Sequence, residues 1–348
     1  CNLVGGQDEL VFDGRSMFAD STGRIVAEAK AFDEDLLMAD VIGLNNQIQI
    51  KPTRPSSVVS RPSSLDEVYQ ALVLGTRDYA RKNGFRKTLL GLSGGIDSSV
   101  VAAIAVAALG AENVTGVTMP SKFNSPETKS DAVKLAKNLG IELLTIPIEP
   151  LLERFNGALQ SVPGWNSKGI AYENLQARIR GGILMTLSNQ FGSLVLTTGN
   201  KSETAVGYAT LYGDTAGGFA VIKDVPKTLV YTLAEHINQL SGREIIPADV
   251  ITRAPSAELR EGQKDSDSLP AYDLLDKILK GYVEEDKSAR QLIDAGLPKE
   301  TVYNVIRMVD RNEYKRRLSP PGIKITPKAF GKDRRLPITN HYSLSSQR

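Results

Sequence analysis

From residue 64 onward, short apolar runs alternate with longer amphipathic segments. Strand-like runs separated by helices favour a parallel sheet that helices cover on both faces. The predicted strands are 88–92, 114–118, 142–147 and 193–198. The predicted helices are 64–83, 97–109, 126–138, 149–160, 172–190, 226–240, 271–283, 286–295 and 298–316.

The first 63 residues follow a different pattern. Short strand-like runs separated by turn formers, such as Asp13-Gly14, predict a β-meander. A meander of this size cannot bury a core alone, so we expect residues 1–44 to be the end of a larger domain. Residues 45–63 are rich in Pro, Ser and Asn, which predicts a linker. Ser64 and Glu67 fit a capping box that opens the first helix. The main domain is therefore expected at 64–335, followed by a polar tail at 336–348.

Composition narrows the function classes. The 348 residues carry 42 Lys+Arg against 40 Asp+Glu, so bulk charge does not indicate a nucleic-acid or membrane partner. One cysteine, Cys1, excludes an internal disulfide, and two histidines leave little for imidazole catalysis. The longest apolar stretch, Val100 to Leu109, is half of the ~20 residues that a membrane span needs. We expect a cytoplasmic protein.

The strongest motif follows the predicted strand 88–92. It reads Leu-Ser-Gly-Gly-Ile-Asp-Ser-Ser and leads into an apolar helix. Two glycines let backbone N–H groups approach an anion, serines add hydroxyl donors, and the helix N-terminus adds its positive dipole end. The motif therefore predicts a phosphate-binding loop. Asp97 within it would suit Mg²⁺, which binds through carboxylates together with substrate phosphates.

The same residues also satisfy a second pattern. Gly91 to Gly95 fit G-x-S-x-G, the nucleophile elbow of α/β serine hydrolases, with Ser93 as nucleophile. That interpretation needs a histidine downstream, and His236 and His341 are the candidates. It leaves Asp97 unexplained, so the hydrolase is kept as the alternative outside the phosphate-binding class.

The loop SGGIDSS resembles the pyrophosphate-binding loop of the N-type ATP pyrophosphatases. Six downstream blocks resemble the NAD⁺ synthetase family within that class: ENLQARIR from Glu173, TTGNKSE from Thr197, GYATLYGD from Gly207, KDVPKT from Lys223, PSAEL from Pro255 and EYKRR from Glu313. The resemblance covers about residues 64–335. It implies a Rossmann-like, doubly wound α/β fold of the adenine nucleotide alpha hydrolase-like type. Residues 4–14 resemble late strands of a nitrilase-like glutaminase domain.

The resemblance implies ATP-dependent amidation of deamido-NAD. The nicotinate carboxylate would be adenylated with release of pyrophosphate, and ammonia would displace AMP. A glutaminase domain could supply the ammonia from glutamine through a Glu-Lys-Cys triad that would lie earlier than this segment. Cys1 is therefore expected to be structural, and a companion glutaminase fragment is possible. The family implies a homodimer or higher oligomer. Another adenylating amidotransferase, such as GMP synthetase, is the alternative within the class.

The family's functional residues map onto matching positions of this sequence. The expected magnesium ligands are Asp97 and Glu203, and the expected catalytic residues are Asp97, Lys227 and Asp214. The expected ATP and pyrophosphate contacts are Ser93, Gly94, Gly95, Asp97, Ser98, Ser99, Thr198, Lys227 and Ser256. The expected deamido-NAD contacts are Tyr79, Asn174, Arg178, Asp214 and Lys315, with Tyr79 able to reach a second subunit's ligand. Tyr314 stands where ammonia-dependent relatives often carry His, and the basic run Lys324 to Arg335 could cover phosphates or an oligomer surface.

Overall fold

The computed structural model describes residues 1–44, 47–53 and 63–338. The chain opens with three antiparallel hairpins rather than the continuous meander that the sequence predicts. A left-handed residue, Arg15 (φ 56°), follows the first hairpin and turns the chain away from it. The hairpins are β1 (Val4–Gln7) with β2 (Leu10–Asp13), β3 (Met17–Ala19) with β4 (Ile25–Glu28), and β5 (Ala39–Leu44) with β6 (Gln47–Pro52). Strand β6 therefore lies inside the predicted linker, part of which falls outside the described residues.

Helix α1 (Ser64–Lys82) begins one residue earlier than the predicted capping box implies. The cap is Ser63, whose hydroxyl accepts from the Asp66 N–H at 3.1 Å, while the Asp66 carboxylate accepts from the Ser63 N–H at 3.2 Å. Glu67 is thereby free to accept from Arg15 at 2.5 Å. The predicted pairing of Ser64 with Glu67 is wrong by one position, because Asp66 is the carboxylate that reaches the cap.

The first hairpin packs directly on α1. A Cβ atom at Gly6 would come within 3.0 Å of the Gly75 Cα atom, so the two backbones meet at a pair of glycines. The Gly6 N–H donates to Asp78 at 2.8 Å, and Lys82 Nζ donates to the Gly6 carbonyl at 2.5 Å. These bonds attach the N-terminal segment to the first helix of the main domain.

The main domain contains five parallel strands in the order β11-β10-β7-β8-β9. The strand order reverses beside β7, where β8 lies on one side and β10 on the other. Ligands of doubly wound folds bind at such a switch point, beyond the carboxyl ends of the strands. The predicted parallel α/β sheet is confirmed. Its strands are β7 (Thr88–Gly91), β8 (Val114–Thr118), β9 (Glu142–Thr145), β10 (Leu194–Thr197) and β11 (Phe219–Ala220).

Helices pack on both faces of the sheet. Helix α2 (Ile96–Leu109) is apolar on all sides and almost wholly buried, as expected for a helix inside a core. The helices after it are α3 (Pro126–Leu139), α4 (Glu149–Leu159), α5 (Ile170–Phe191), α6 (Lys201–Val206), α7 (Lys227–Ser241), α8 (Ala248–Thr252), α9 (Tyr272–Leu279), α10 (Ala289–Asp294), α11 (Lys299–Arg311) and α12 (Glu313–Arg317). Within the described ranges, none of the helices is both long and apolar enough to cross a bilayer.

Two of the predicted helices differ from the observed ones. The helix expected at 271–283 ends at Leu279 and continues as one π-helical turn, Lys280–Glu284. The helix expected at 298–316 is interrupted at Asn312, whose amide donates to the Val206 and Met308 carbonyls at 2.8 Å each. Both breaks bring side chains toward the short helix α6, which the sequence did not predict.

Candidate active site

The loop between β7 and α2 has the geometry of an anion cradle. Gly94 has φ +83°, and a Cβ there would lie 2.1 Å from the Thr128 carbonyl oxygen, so only glycine fits. Gly95 is the N-cap of α2 and makes no side-chain capping bond. The free N–H groups of the first helical turn are thus available to an anion.

The serines of this loop divide into two kinds. Ser93 is exposed, accepts from the Gly95 N–H at 3.1 Å and lies 3.2 Å from the Ser98 hydroxyl. Ser98 and Ser99 are buried and donate to the Gly95 carbonyl at 3.0 and 2.8 Å. Ser98 still touches the exposed Ser93 hydroxyl. The geometry does not support the predicted phosphate contact of Ser99, because its hydroxyl is engaged with the backbone of its own helix.

Asp97 and Glu203, which the resemblance pairs as magnesium ligands, both lie beside this loop, at the carboxyl edge of adjacent parallel strands. Lys227 joins them: its ammonium group donates to Asp97 Oδ2 and lies 3.4 Å from Glu203 Oε1. The three predicted charged residues therefore form one cluster, although 130 positions separate Asp97 from Lys227.

Asn200 holds this cluster together and was not assigned from the sequence. Its Oδ1 accepts from the Glu203 N–H at 3.0 Å and caps α6, while its Nδ2 donates to Asp97 Oδ1 at 2.9 Å. The available signal was an Asn three residues before a Glu, a helix N-cap pattern inside TGNKSE. Helix α7 is fixed nearby, since the Lys227 N–H donates to Ser202 Oγ at 2.8 Å.

Burial and charge set the protonation of the cluster. Burial raises the pKa of Glu203 to about 8; Lys227 lowers it and Asp97 raises it. Burial alone would lower the pKa of Lys227, but Asp97 and Glu203 outweigh it and hold that pKa above its ordinary value. Lys227 therefore stays positively charged beside Asp97 and Glu203, and a second cation would favour the ionised form of Glu203.

The donor set fits Mg²⁺ shared with a phosphate substrate. Asp97 and Glu203 offer carboxylate oxygens next to the anion cradle, and Mg²⁺ typically binds through one or two carboxylates plus substrate phosphates. Among the residues that the structure describes, no group of three or more His, Cys, Asp or Glu side chains could hold a metal ion alone. A metal held jointly by protein and substrate is the arrangement that these residues can support.

A small cavity of about 30 Å³ is lined in part by Glu203 and Asp214. Asp214 is exposed toward it and accepts from the Thr210 N–H at 2.8 Å. Desolvation by the protein around its carboxyl group raises the pKa of Asp214. Lys315 lies close to Asp214 and donates to the Gly207 and Ala209 carbonyls at 2.7 and 2.9 Å. Burial lowers the pKa of Lys315, and Asp214 opposes that shift.

Two predicted substrate contacts on α5 reach the loop 207–215 that carries Asp214. Asn174 Oδ1 accepts from the Thr210 hydroxyl at 2.8 Å, and Arg178 Nε donates to the Leu211 carbonyl at 3.2 Å. The Arg178 side chain is exposed. The structure thus brings Asn174, Arg178, Asp214 and Lys315 around one loop.

Three other predicted contacts lie apart from this arrangement. The Tyr79 hydroxyl donates to the Gly218 carbonyl at 3.2 Å, and its ring stacks on Phe219 at 4.0 Å. The Ser256 hydroxyl donates to the Gln263 carbonyl at 2.6 Å, within an exposed loop. Thr198 follows β10 and is half-buried. Their ligand contacts stay predictions.

The loop that carries Ser256 does reach the phosphate cradle through Glu258. This carboxylate accepts from Asn124 at 2.9 Å and from the Thr128 hydroxyl at 3.0 Å, and Thr128 is the residue packed against Gly94. Ser256 therefore sits on a segment that contacts the N-terminus of α3.

The serine hydrolase alternative finds no support among the described residues. His236 is buried in α7, where its Nε2 lies 2.7 Å from Asp66 Oδ1 and its ring meets Tyr69 edge-on. These contacts give His236 a structural role. The described hydrogen bonds of Ser93 go to Gly95 and Ser98. His341 lies outside the described residues.

The basic run at the C-terminus is largely neutralised. Lys324 pairs with Asp333 at 2.8 Å, and both Lys328 and Arg334 pair with Asp286. Tyr314 is 40% exposed. These pairings do not favour the expectation that the run covers phosphates.

Comparisons with known proteins agree on one family. The NAD synthase family model matches residues 68–319. The glutamine-dependent NAD(+) synthetases of Thermotoga maritima and Aquifex aeolicus are 47% and 48% identical, each over 98% of this chain and 64% of the relative. The chain thus spans about two thirds of the length of these curated relatives.

Solved structures give the same picture. Glutamine-dependent NAD+ synthetase from Acinetobacter baumannii, in complex with ADP, is similar at 46% identity and TM-score 0.66, over 96% of this chain and 60% of that one. NH3-dependent NAD synthetase from Campylobacter jejuni is similar at 27% identity and TM-score 0.60, over 72% of this chain and 96% of that one. The second similarity covers nearly the whole of a protein whose nitrogen source is ammonia.

Proposed function

The chain belongs to the NAD synthase family, and from that membership we propose that it amidates deamido-NAD to NAD at the expense of ATP. The observation that carries the proposal is the meeting of Asp97, Glu203 and Lys227 beside an open helix N-terminus. Such a site can hold a triphosphate and stabilise the charge that develops when its phosphate chain is cleaved.

The first step activates the substrate carboxylate. A nicotinate oxygen attacks the α-phosphorus of ATP, a new O–P bond forms, and the bond to the β-phosphate oxygen breaks. Ser93 and the N–H groups of Gly94, Gly95 and the first turn of α2 hold the departing pyrophosphate. Lys227 neutralises its charge. Mg²⁺ held by Asp97 and Glu203 would reduce the negative charge that the nucleophile meets on the phosphates.

The second step forms the amide. Ammonia attacks the carbonyl carbon of the adenylate, and the C–O bond to AMP breaks, so one carboxylate oxygen leaves with AMP. Asp214 faces the cavity with a raised pKa and is suited to accept a proton from ammonium before attack. Lys315 lies close to Asp214, and its positive charge partly opposes the rise in the pKa of that carboxyl group. Arg178 and Asn174 adjoin the same loop and are suited to bind the dinucleotide phosphates and ribose.

The nitrogen source follows from what the 348 residues contain. They include no match to the Glu-Lys-Cys triad of a nitrilase-like glutaminase, and Cys1 is exposed ahead of β1 rather than inside a strand. This segment therefore uses ammonia directly, and glutamine serves only when a glutaminase part is present. A cytoplasmic location and a homodimer are part of the same proposal.

The proposal is tested with the purified chain, deamido-NAD, ATP, Mg²⁺ and an ammonium salt. We expect NAD and pyrophosphate in equal amounts, and loss of both in Asp97→Asn. Glu112→Gln, on the short 3-10 turn that follows α2, is the matched control and should keep full activity. Failure to form NAD would overturn the proposal, and glutamine-driven turnover by this chain alone would overturn the assigned nitrogen source.

A further inference from the structure

A buried carboxylate outside the assigned residues lies next to the catalytic cluster. Asp265 is 5% exposed and sits on a short 3-10 turn, Asp265–Asp267. Its Oδ1 accepts from the Tyr208 hydroxyl at 3.3 Å, and its Oδ2 accepts from the Tyr272 hydroxyl at 2.8 Å. Each carboxylate oxygen thus holds one tyrosine.

The two tyrosines approach the cluster from different elements. Tyr208 follows α6, its N–H donates to the Glu203 carbonyl at 2.9 Å, and it lines the same cavity as Glu203 and Asp214. Tyr272 opens α9, and its ring centre lies 5.4 Å from Lys227 Nζ. Tyr272 thus lies against Lys227 and Tyr208 lines the cavity beside Glu203, and Asp265 accepts a hydrogen bond from each.

Both tyrosine hydroxyls donate, and the Asp265 carboxylate accepts. A carboxylate acceptor makes a stronger hydrogen bond than a neutral one. Burial, and after it Asp265, raises the pKa of Tyr208, so that phenol stays protonated and donating at neutral pH. Burial, and after it Glu203 and Asp265, raises the pKa of Tyr272. A phenol that donates to a carboxylate also has a more electron-rich ring, which favours the nearby Lys227 ammonium.

We propose that Asp265 is a positioning residue for the amidation: it orients Tyr272 against Lys227 and Tyr208 against the cavity that Glu203 and Asp214 line. The inference rests on the proposed function. In this proposal, Tyr272 positions Lys227 for the neutralisation of phosphate charge. Tyr208 contributes to the binding of deamido-NAD. Loss of Asp265 therefore affects kcat through Tyr272 and the KM of deamido-NAD through Tyr208.

The test compares four variants of the full chain: Asp265→Asn, Asp265→Ala, Tyr272→Phe and Tyr208→Phe. We expect Asp265→Ala to lower kcat by about a hundredfold and Asp265→Asn, which keeps an acceptor oxygen, by about tenfold. Tyr272→Phe should reproduce most of the kcat loss. Tyr208→Phe should raise the KM of deamido-NAD severalfold with little effect on the KM of ATP.

Two comparisons separate positioning from general support of the fold. In the double variant Asp265→Ala, Tyr272→Phe, kcat should fall little below that of Asp265→Ala alone, because both changes remove one contact. Asp267→Asn is the matched control on the same turn: Asp267 pairs with Arg260 at 2.7 Å on the surface, and kcat should not change. Additive losses, or a lower Tm with unchanged kcat, would overturn the inference.

A measurement independent of turnover completes the test. Alkaline titration of tyrosine absorbance should show two phenols ionising at lower pH in Asp265→Asn than in the unaltered chain. An unchanged titration would contradict the tie between Asp265 and the two tyrosines. If the unaltered chain makes no NAD but the two titrations still differ, the proposed function is overturned. The contact of Asp265 with the two tyrosines is then still supported.

Discussion

The Asn200 side chain donates to Asp97 at 2.9 Å across 103 positions of sequence, and its other amide atom caps the helix that carries Glu203. One side chain thus sets the distance between the two proposed magnesium ligands. Since Asp97 starts α2 after β7 and Asn200 starts α6 after β10, this bond also ties two neighbouring strands together at the switch point of the sheet.

Replacing Asn200 should separate activity from stability. Asn200→Asp keeps the cap acceptor but loses the donor to Asp97 and adds a third carboxylate, so we expect activity to fall at least tenfold. Asn200→Ala also loses the cap, which costs about 1 kcal/mol of stability. Steady-state kinetics and urea unfolding measure the two effects. Wild-type kcat in Asn200→Asp would show that this bond does not organise the site.

Removing the Lys227 charge should destabilise the fold as well as stop the reaction. Lys227→Met leaves Asp97 and Glu203 facing each other without their shared cation, and breaking a buried pair costs about 3–5 kcal/mol. Adding Asp97→Asn to Lys227→Met removes the carboxylate to which Lys227 donates, so unfolding stability should recover in part while activity stays absent. Recovery of activity in that double variant would contradict the role given to Lys227.

The metal-free protein should lose stability as the pH rises through neutrality. The folded-state pKa of Glu203 is about 8, above its ordinary 4.5, so the folded form binds the proton more tightly than the unfolded chain. This contribution is fully present below pH 4.5 and is lost as the pH rises toward 8. Thermal unfolding of Glu203→Gln should show a shallower decline over that window. Identical pH profiles for the two proteins would refute the shift.

Gly94 and Gly95 should differ sharply when each is changed to alanine. At Gly94 the Cβ would meet the Thr128 carbonyl at 2.1 Å on a backbone with φ +83°, so Gly94→Ala should distort the loop and abolish pyrophosphate release. At Gly95 the Cβ would meet only Ser93 Oγ, at 3.2 Å, and a modest loss is expected. Equal effects of the two substitutions on ATP binding would argue against the cradle geometry.

The features predicted from the sequence are those fixed by local rules. The turn at Gly94 and the start of α2 depend on adjacent residues, so the local amino-acid sequence was enough to identify the loop. The pairing of Asp97 with Glu203 was expected from the family resemblance, and the parallel strand pattern allows it, because such strands present their carboxyl ends at one edge.

Other features depend on contacts that sequence spacing does not reveal. Asp265 lies in the polar run QKDSDS, which is typical of a surface loop, yet it is buried and accepts from Tyr272, seven positions away, and from Tyr208, 57 positions away. Ser98 and Ser99 both donate to the Gly95 carbonyl, and the difference between them, the contact of Ser98 with the Ser93 hydroxyl, is not visible in the sequence. Helix α6 and strand β11 have only six and two residues, too few for a periodic signal.

The fate of the carboxylate oxygen tests the central claim most directly. Deamido-NAD labelled with ¹⁸O in its nicotinate carboxylate is converted by the purified chain with ATP, Mg²⁺ and ammonium, and the products are analysed by mass spectrometry. Attack on the α-phosphorus predicts one ¹⁸O in AMP and none in pyrophosphate. Label in inorganic phosphate, with ADP as the nucleotide product, would contradict adenylation and the site assignment built on it.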